Sequence, residues 1–364
     1  MLRILKINII ISAVLISLIT GCSRDPRSEY KYIDIQSDFT MHPEYGIDWI
    51  YANMMLNSPD SSRAFAYSFI LTNHNDNLTY IYDINESQTH YVDTEGKVKS
   101  FADKWYFNSK YSQDSIILTD DMSVLYKHIS DSFQCSLKLT ATRHPVLAAD
   151  SGRMIMWDSL MYYYSMPRMS VKGIIETPHY KGPVEGTAWI DRQWGDFVLG
   201  YESYTWFSIY LDNDTDIMVY KLNTTRQARM FIFKKDIFKY AEPEGAGITE
   251  KAYVIPVSQI KKDETLIPFG WRIFDSSKNT ELLVIPEYDY HNMWGDSIKN
   301  TYQGICSVEG IYNGEYVRGR AYMEFNGAEY YKTQRLKLYD EKMFRSDIKL
   351  MRELLRKKAA GNSD

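Results

Sequence analysis

The chain predicts an all-β fold: two copies of one antiparallel β unit, each a barrel or sandwich, followed by a C-terminal amphipathic helix. Three observations carry that expectation. The first is an internal repeat, in which Val184-Glu-Gly-Thr-Ala-Trp-Ile-Asp191 returns as Val317-Arg-Gly-Arg-Ala-Tyr-Met-Glu324. The second is two further echoes in the same order, Ser170-Val-Lys-Gly-Ile174 with Ser307-Val-Glu-Gly-Ile311, and Cys135-Ser-Leu-Lys-Leu-Thr140 with Thr280-Glu-Leu-Leu-Val-Ile285. Ordered self-similarity marks two copies of one structural unit. The third is a composition of 30 Tyr and 8 Trp against only 11 Pro, which favours pleated surfaces over irregular ones.

From the N-terminus, Met1-Leu-Arg-Ile-Leu-Lys6 is a basic head, followed by an apolar run from Ile7 to Ile19. That run is shorter than the roughly 20 residues needed to span a bilayer, so residues 1–21 read as a signal peptide. It ends Ile19-Thr-Gly-Cys22, which resembles the bacterial lipobox, and that resemblance implies a lipid on Cys22. Residues 22–29 would then be a tether, holding the body to a membrane of the cell envelope. Ser23, rather than Asp, after the cysteine points to the outer membrane.

Alternating aromatic segments follow, among them Ala64–Leu71, Leu78–Asp83, Tyr204–Tyr210 and Asp216–Leu222. Asn/Asp/Gly turns such as Asn73-His-Asn-Asp-Asn77 and Asp275-Ser-Ser-Lys-Asn279 separate them, as in a barrel or sandwich. The repeat divides the body into barrels over 30–199 and 200–338, with helix and tail over 339–364. In that last segment Phe344, Ile348, Met351, Leu354 and Leu355 form one helical stripe, expected to dock on the protein's own barrel.

The net charge of −5, with no basic clustering outside the C-terminus, argues against nucleic acid as a partner. Cys135 and Cys306 sit at non-equivalent strand positions and are expected to be buried free thiols. The seven histidines show no metal-ligand spacing and the acidic turns lack a calcium-loop pattern, so no metal is expected, nor is a cofactor; Ser203 lacks a nucleophile elbow, so serine-hydrolase chemistry has no support in the sequence.

Tyr163-Tyr-Ser-Met-Pro-Arg-Met-Ser-Val-Lys-Gly173, with Gly186-Thr-Ala-Trp-Ile-Asp-Arg-Gln-Trp-Gly195, resembles the AttH-like secreted proteins, lipocalin-like relatives of carotenoid 1,2-hydratase. Gly319-Arg-Ala-Tyr-Met-Glu324 resembles their closing strand. The resemblance implies tandem lipocalin-like barrels, and it maps the hydratase acid onto Asp191 with Trp189 as its aromatic. Alkene hydration needs a carboxyl kept neutral by burial and ring faces to stabilise the cation, for which Trp189, Trp194 and Tyr164 are candidates. The chain departs from the hydratase pattern upstream, where Met161-Tyr-Tyr-Tyr-Ser165 has neither the expected His nor the Trp.

A structural role for Asp191 is the competing reading: a salt bridge to Arg192 or a turn cap, with the tryptophans as packing. Arg168 is its natural ion-pair partner, and a tight pair would hold the carboxyl ionised. As ligand-binding residues the sequence suggests Trp194, Arg168, Tyr322 and Glu324. Two functions follow. One is an anchored protein binding a hydrophobic small molecule in or between the barrels. The other is a hydratase, lyase or isomerase using Asp191 as general acid on an unsaturated apolar substrate. An envelope transport partner is a third expectation.

Overall fold

A computed structural model describes residues 33–196 apart from 102, 149–150 and 157–158. It also describes 204–326 apart from 223–227, 235–246, 258, 263–264, 269, 276, 278, 288–290 and 293–300, and then residues 353–357 and 360. The expected signal peptide, Cys22, the expected tether and the residues around the expected boundary at Gly200 lie outside the described residues. Apart from Ile33, the described residues belong to one compact unit within Asp34–Asp364.

Thirteen strands build the first sheet: β1 (Ile47–Asn57), β2 (Ala64–Thr72), β3 (Asp76–Asp83), β4 (Gln88–Glu95), β5 (Lys97–Phe101), β6 (Lys104–Asn108), β7 (Ser112–Leu118), β8 (Val124–Ser130), β9 (Gln134–Thr140), β10 (Val146–Leu147), β11 (Arg153–Met156), β12 (Ser159–Thr177) and β13 (Tyr180–Gly195). Their order is β4-β3-β2-β1-β13-β12-β9-β8-β7-β6-β5, with β10 and β11 paired to β12. The two end strands, β4 and β5, follow one another in the chain with only Gly96 between them, so the sheet curls into a nearly closed barrel.

The second half supplies β14 (Tyr204–Leu211), β15 (Thr215–Leu222), β16 (Ala228–Lys234), β17 (Gly247–Pro256), β18 (Gln259–Lys262), β19 (Thr265–Pro268), β20 (Trp271–Asp275), β21 (Thr280–Pro286), β22 (His291–Asn292), β23 (Thr301–Tyr312) and β24 (Glu315–Asn326). Nine of these form a sheet in the order β21-β20-β17-β16-β15-β14-β24-β23-β22, and β21 also pairs β23. Strands β18 and β19 form a separate hairpin.

The three sequence echoes fall on topologically equivalent strands. In the first sheet β9 pairs β12, which pairs β13, which pairs β1; in the second, β21, β23, β24 and β14 repeat that order. The register agrees to the residue: Gly173 stands opposite Leu137 and Val184, and Gly310 opposite Leu282 and Val317. The repeated glycines also explain themselves. A Cβ on Gly186 would lie 2.0 Å from the Met55 carbonyl oxygen, and one on Gly319 would lie 2.1 Å from that of Tyr210. The neighbouring strand passes too close for any side chain.

Burial separates the faces. Strands β8 and β9 alternate buried and exposed residues, as expected with water on one face. Strand β1 is buried along nearly its whole length, and β13 from Ala188 onward, because the second sheet covers their outer face. The second barrel has its own interior, with Phe207, Ile209, Val219, Trp271, Cys306, Met323 and Phe325. Between the sheets lies a separate aromatic seam: Tyr51, Tyr80, Tyr163 and Trp189 from the first against Trp206, Tyr210, Met218, Ile305 and Tyr322 from the second. Cys135 and Cys306 are buried free thiols. Of the C-terminal stripe, Glu353–Lys357 is helical, with Leu355 buried, Leu354 exposed and Arg356 Nη2 2.6 Å from Glu309 on β23. Phe344, Ile348 and Met351 lie outside the described residues.

Candidate functional site

Strand alternation decides which side chains meet. On β13, Trp189, Asp191 and Gln193 share one face, and Ile190, Arg192 and Trp194 the other. On β12, Tyr163 and Ser165 share the seam side, and Tyr162 and Tyr164 turn inward. Asp191, 4% exposed, accepts three hydrogen bonds from its own sheet. Ser165 Oγ, directly across the strand pair, donates to Oδ1 at 2.6 Å, Trp189 Nε1 donates to Oδ1 at 2.7 Å, and Tyr163 Oη donates to Oδ2 at 2.7 Å. The second sheet closes over this group: Trp206 Nε1 lies 3.3 Å from Tyr163 Oη, and Met218 Sδ 2.9 Å from it.

Burial raises the Asp191 carboxyl to about 6, against the pull of the three hydrogen bonds, which favour the ionised form. Neither expected cation reaches it. Arg168 sits at a β-bulge between Met166 and Met169 with φ of 43° and donates from Nε to Asp216 Oδ1 at 2.6 Å. Arg192 binds Asp48 inside the first barrel. Among the described residues, Asp191 is a buried carboxyl surrounded by neutral donors.

Glu324 is half-buried on the same seam. Tyr204 donates to its Oε1 and Gln303 to its Oε2. Burial raises this carboxyl to about 7, the hydrogen bond from Tyr204 opposes the rise, and the charge of Asp191 adds to it. Ring contacts line the space: Tyr51 meets Trp206 edge-on at 5.9 Å, and Trp189 meets Trp206 at 6.2 Å and Tyr210 at 6.0 Å.

The seam therefore brings together Asp191, Trp189, Tyr322 and Glu324 from the sequence-derived candidates. Tyr164 and Trp194 lie on the opposite face, where Trp194 stacks on His42 at 4.3 Å and meets Tyr164 at 6.2 Å. Tyr163, one residue from Tyr164, is the tyrosine that touches Asp191. Arg168 lies at the seam's edge, its guanidinium 5.7 Å from the Tyr210 ring, in a cleft of about 250 Å³ shared with Thr142, Arg143, Ser170, Thr187 and Asp214. His144 and His179 are exposed, and His179 binds Gln88. Sequence reasoning missed Tyr163, Ser165, Tyr51, Gln303, Tyr204 and Trp206. The alternation of β12 from Asp191's cross-strand partner was the signal for the first two. The described residues contain no cluster of His, Cys, Asp or Glu able to hold a metal ion.

The model of the AttH-like family matches residues 27–328. Kievitone hydratase of Fusarium solani subsp. phaseoli is 21% identical over 194 residues, half of this chain and 54% of that protein, so the match spans about half of its length. Two crystal structures share the fold. An AttH protein of Nitrosomonas europaea superposes with a TM-score of 0.68 at 19% identity, covering 82% of this chain and 98% of that one. Kievitone hydratase of Nectria haematococca superposes with a TM-score of 0.66 at 13% identity, covering 81% and 93%.

Proposed function

From the premise that the chain belongs to the AttH-like family, we propose that it is a hydratase- or isomerase-type acid–base catalyst acting on an unsaturated, hydrophobic substrate held between the two sheets. The observation that carries this reading is Asp191: buried, bonded among the described residues by neutral donors, and with its carboxyl raised to about 6. A carboxyl in that state holds and releases a proton near neutral pH, which proton transfer to or from carbon requires. The rings of Tyr51, Trp189 and Trp206 line the seam, and the negative quadrupole of an aromatic face favours a developing carbocation. Named relatives support the class, since two of the matches are to proteins called kievitone hydratase.

The test is incubation of the purified protein with conjugated apolar alkenes and enones in water labelled with heavy oxygen. Product carrying the label, or a shifted double bond, is the expected result, and Asp191→Asn should lower turnover by roughly 10²- to 10⁴-fold. A mutant as active as the parent would overturn the reading.

The aromatic seam also favours a second reading, an envelope protein that binds a hydrophobic small molecule without converting it. Native mass spectrometry with extraction of co-purifying molecules distinguishes the two, because a binder keeps its ligand in Asp191→Asn. Both readings include attachment to a membrane through lipid on Cys22, motivated by Ile19-Thr-Gly-Cys22. Metabolic labelling with a fatty acid, absent in Cys22→Ser, checks that part.

A further inference from the structure

Asp191 and Glu324 are the same residue of the two repeat copies, and the fold brings them to one place. Each stands across its hairpin from a polar side chain that donates to it: Ser165 for Asp191, Gln303 for Glu324. Each stands across the adjoining strand from an aromatic residue: Tyr51 for Asp191, Trp206 for Glu324. Those two aromatics are themselves in contact. The Tyr51 hydroxyl reaches Gln303 Oε1 at 3.4 Å, so the hydrogen-bonded surroundings of the two acids meet.

We propose that Asp191 and Glu324 form one proton-transfer pair, in which Glu324 carries the proton and Asp191 serves as the base. This rests on the acid–base reading above and assigns its direction. Two carboxylates in a low-dielectric seam cannot both ionise without a cation, and the nearby arginines are bound elsewhere, Arg168 to Asp216 and Arg192 to Asp48. One negative charge therefore remains, and hydrogen-bond count places it. Asp191 accepts from Ser165, Trp189 and Tyr163, whereas Glu324 accepts from Tyr204 and Gln303. Among the described residues, the titratable groups facing the pair are Tyr51 on β1, Tyr163 on β12, Tyr204 and Tyr210 on β14 and Tyr322 on β24, all phenols pushed above their ordinary range by burial and so neutral. The raised values, about 7 for Glu324 and about 6 for Asp191, agree with this order.

The step balances. The π electrons of the substrate form a C–H bond with the Glu324 proton, leaving Glu324 as carboxylate. In hydration a water lone pair then closes the C–O bond, and the water's proton passes to Asp191. In isomerisation Asp191 instead takes a proton from the neighbouring carbon, whose C–H electrons become the new double bond. A proton exchanged from Asp191 back to Glu324 restores the pair.

Infrared titration of the full chain, reading the carbonyl band of protonated carboxyls, tests the assignment without any substrate. The carboxyl that titrates at the highest pH should vanish in Glu324→Gln, remain in Glu324→Asp, and remain in Asp191→Asn with a lower midpoint. A highest-pH band that survives Glu324→Gln and vanishes in Asp191→Asn places the proton on Asp191 and overturns the proposal, while the acid–base reading stands. A midpoint unmoved by Asp191→Asn also overturns it, because the two carboxyls would then titrate independently. The expected bands with no turnover of any alkene leave the pair in place and remove the catalytic reading instead.

Discussion

Asp191 and Arg192 are consecutive in the chain and turn to opposite faces of β13, the carboxyl to the seam and the guanidinium to the interior of the first barrel. There Arg192 is fully buried, its Nη2 3.2 Å from Asp48 Oδ2 and its Nε 3.2 Å from the Phe39 carbonyl oxygen. The rings of Trp105 and Trp194 lie 4.7 and 5.3 Å from its Cζ. The same guanidinium thus reaches Phe39, Thr40 and His42 of the segment that precedes β1. Because a charge left alone in such a place is costly, Arg192→Met should destabilise the fold by about 3–5 kcal/mol, read from the denaturant midpoint. Replacing Asp48 by Leu in the same molecule should recover much of that loss, since the uncompensated carboxylate goes with it.

Tyr163 and Tyr164 are chemically identical neighbours with opposite surroundings. Tyr163→Phe removes a hydrogen bond to the ionised form of Asp191, so the carboxyl should titrate above about 6, its parent value. Tyr164→Phe, on the other face, should leave it unmoved. Carbon-13 NMR of the labelled side-chain carboxyl reads both. Equal shifts in the two variants would contradict the placement of the faces.

Much of this architecture is legible in the sequence because a barrel repeats a simple rule, inside and outside by turns. The echo of Val184–Asp191 in Val317–Glu324 carries both the fold and the pair of acids, since the equivalent glycines permit equivalent strand contacts. Arg168 shows where such reasoning ends. The bulge after Met166 adds one residue to β12 relative to β23 and carries Arg168 away from Asp191 toward Asp216 on β15. Nothing in the local pattern announces that extra residue. Tyr204, Trp206 and Gln303 were equally out of reach, because they approach Asp191 and Glu324 only when two sheets distant in sequence are pressed together.

Stability should depend on pH through Asp191. Its folded value, about 6, lies above the ordinary 3.8, so the folded protein binds this proton more tightly than the unfolded chain. The contribution is a stabilisation fully present below about 3.8 and withdrawn as pH rises through about 6, amounting to about 3 kcal/mol at most. Asp48 acts in the opposite sense: its pairing with Arg192 holds its carboxyl below the ordinary value against burial, and that stability is lost as pH falls. The difference between parent and Asp191→Asn isolates the Asp191 share. Unfolding free energies should show Asp191→Asn gaining on the parent between mildly acidic and neutral pH, and parallel curves would contradict the raised value.

Gly186 and Gly319 offer a direct test that the repeat is structural and not a coincidence of letters. An alanine at either position would set its Cβ against the carbonyl oxygen of the adjacent strand, Met55 in one copy and Tyr210 in the other, at 2.0 and 2.1 Å. No rotation of a side chain relieves a clash with backbone, so the strand pair must move apart. Overpacking of this kind costs about 1–3 kcal/mol. Gly186→Ala and Gly319→Ala should therefore lower the melting temperature by similar amounts. Gly304→Ala, where an added Cβ meets nothing within 4 Å, should be close to neutral. If Gly319→Ala proved as mild as Gly304→Ala while Gly186→Ala did not, β14 and β24 would not be packed as β1 and β13 are, and the equivalence of Asp191 and Glu324 would lose its structural basis.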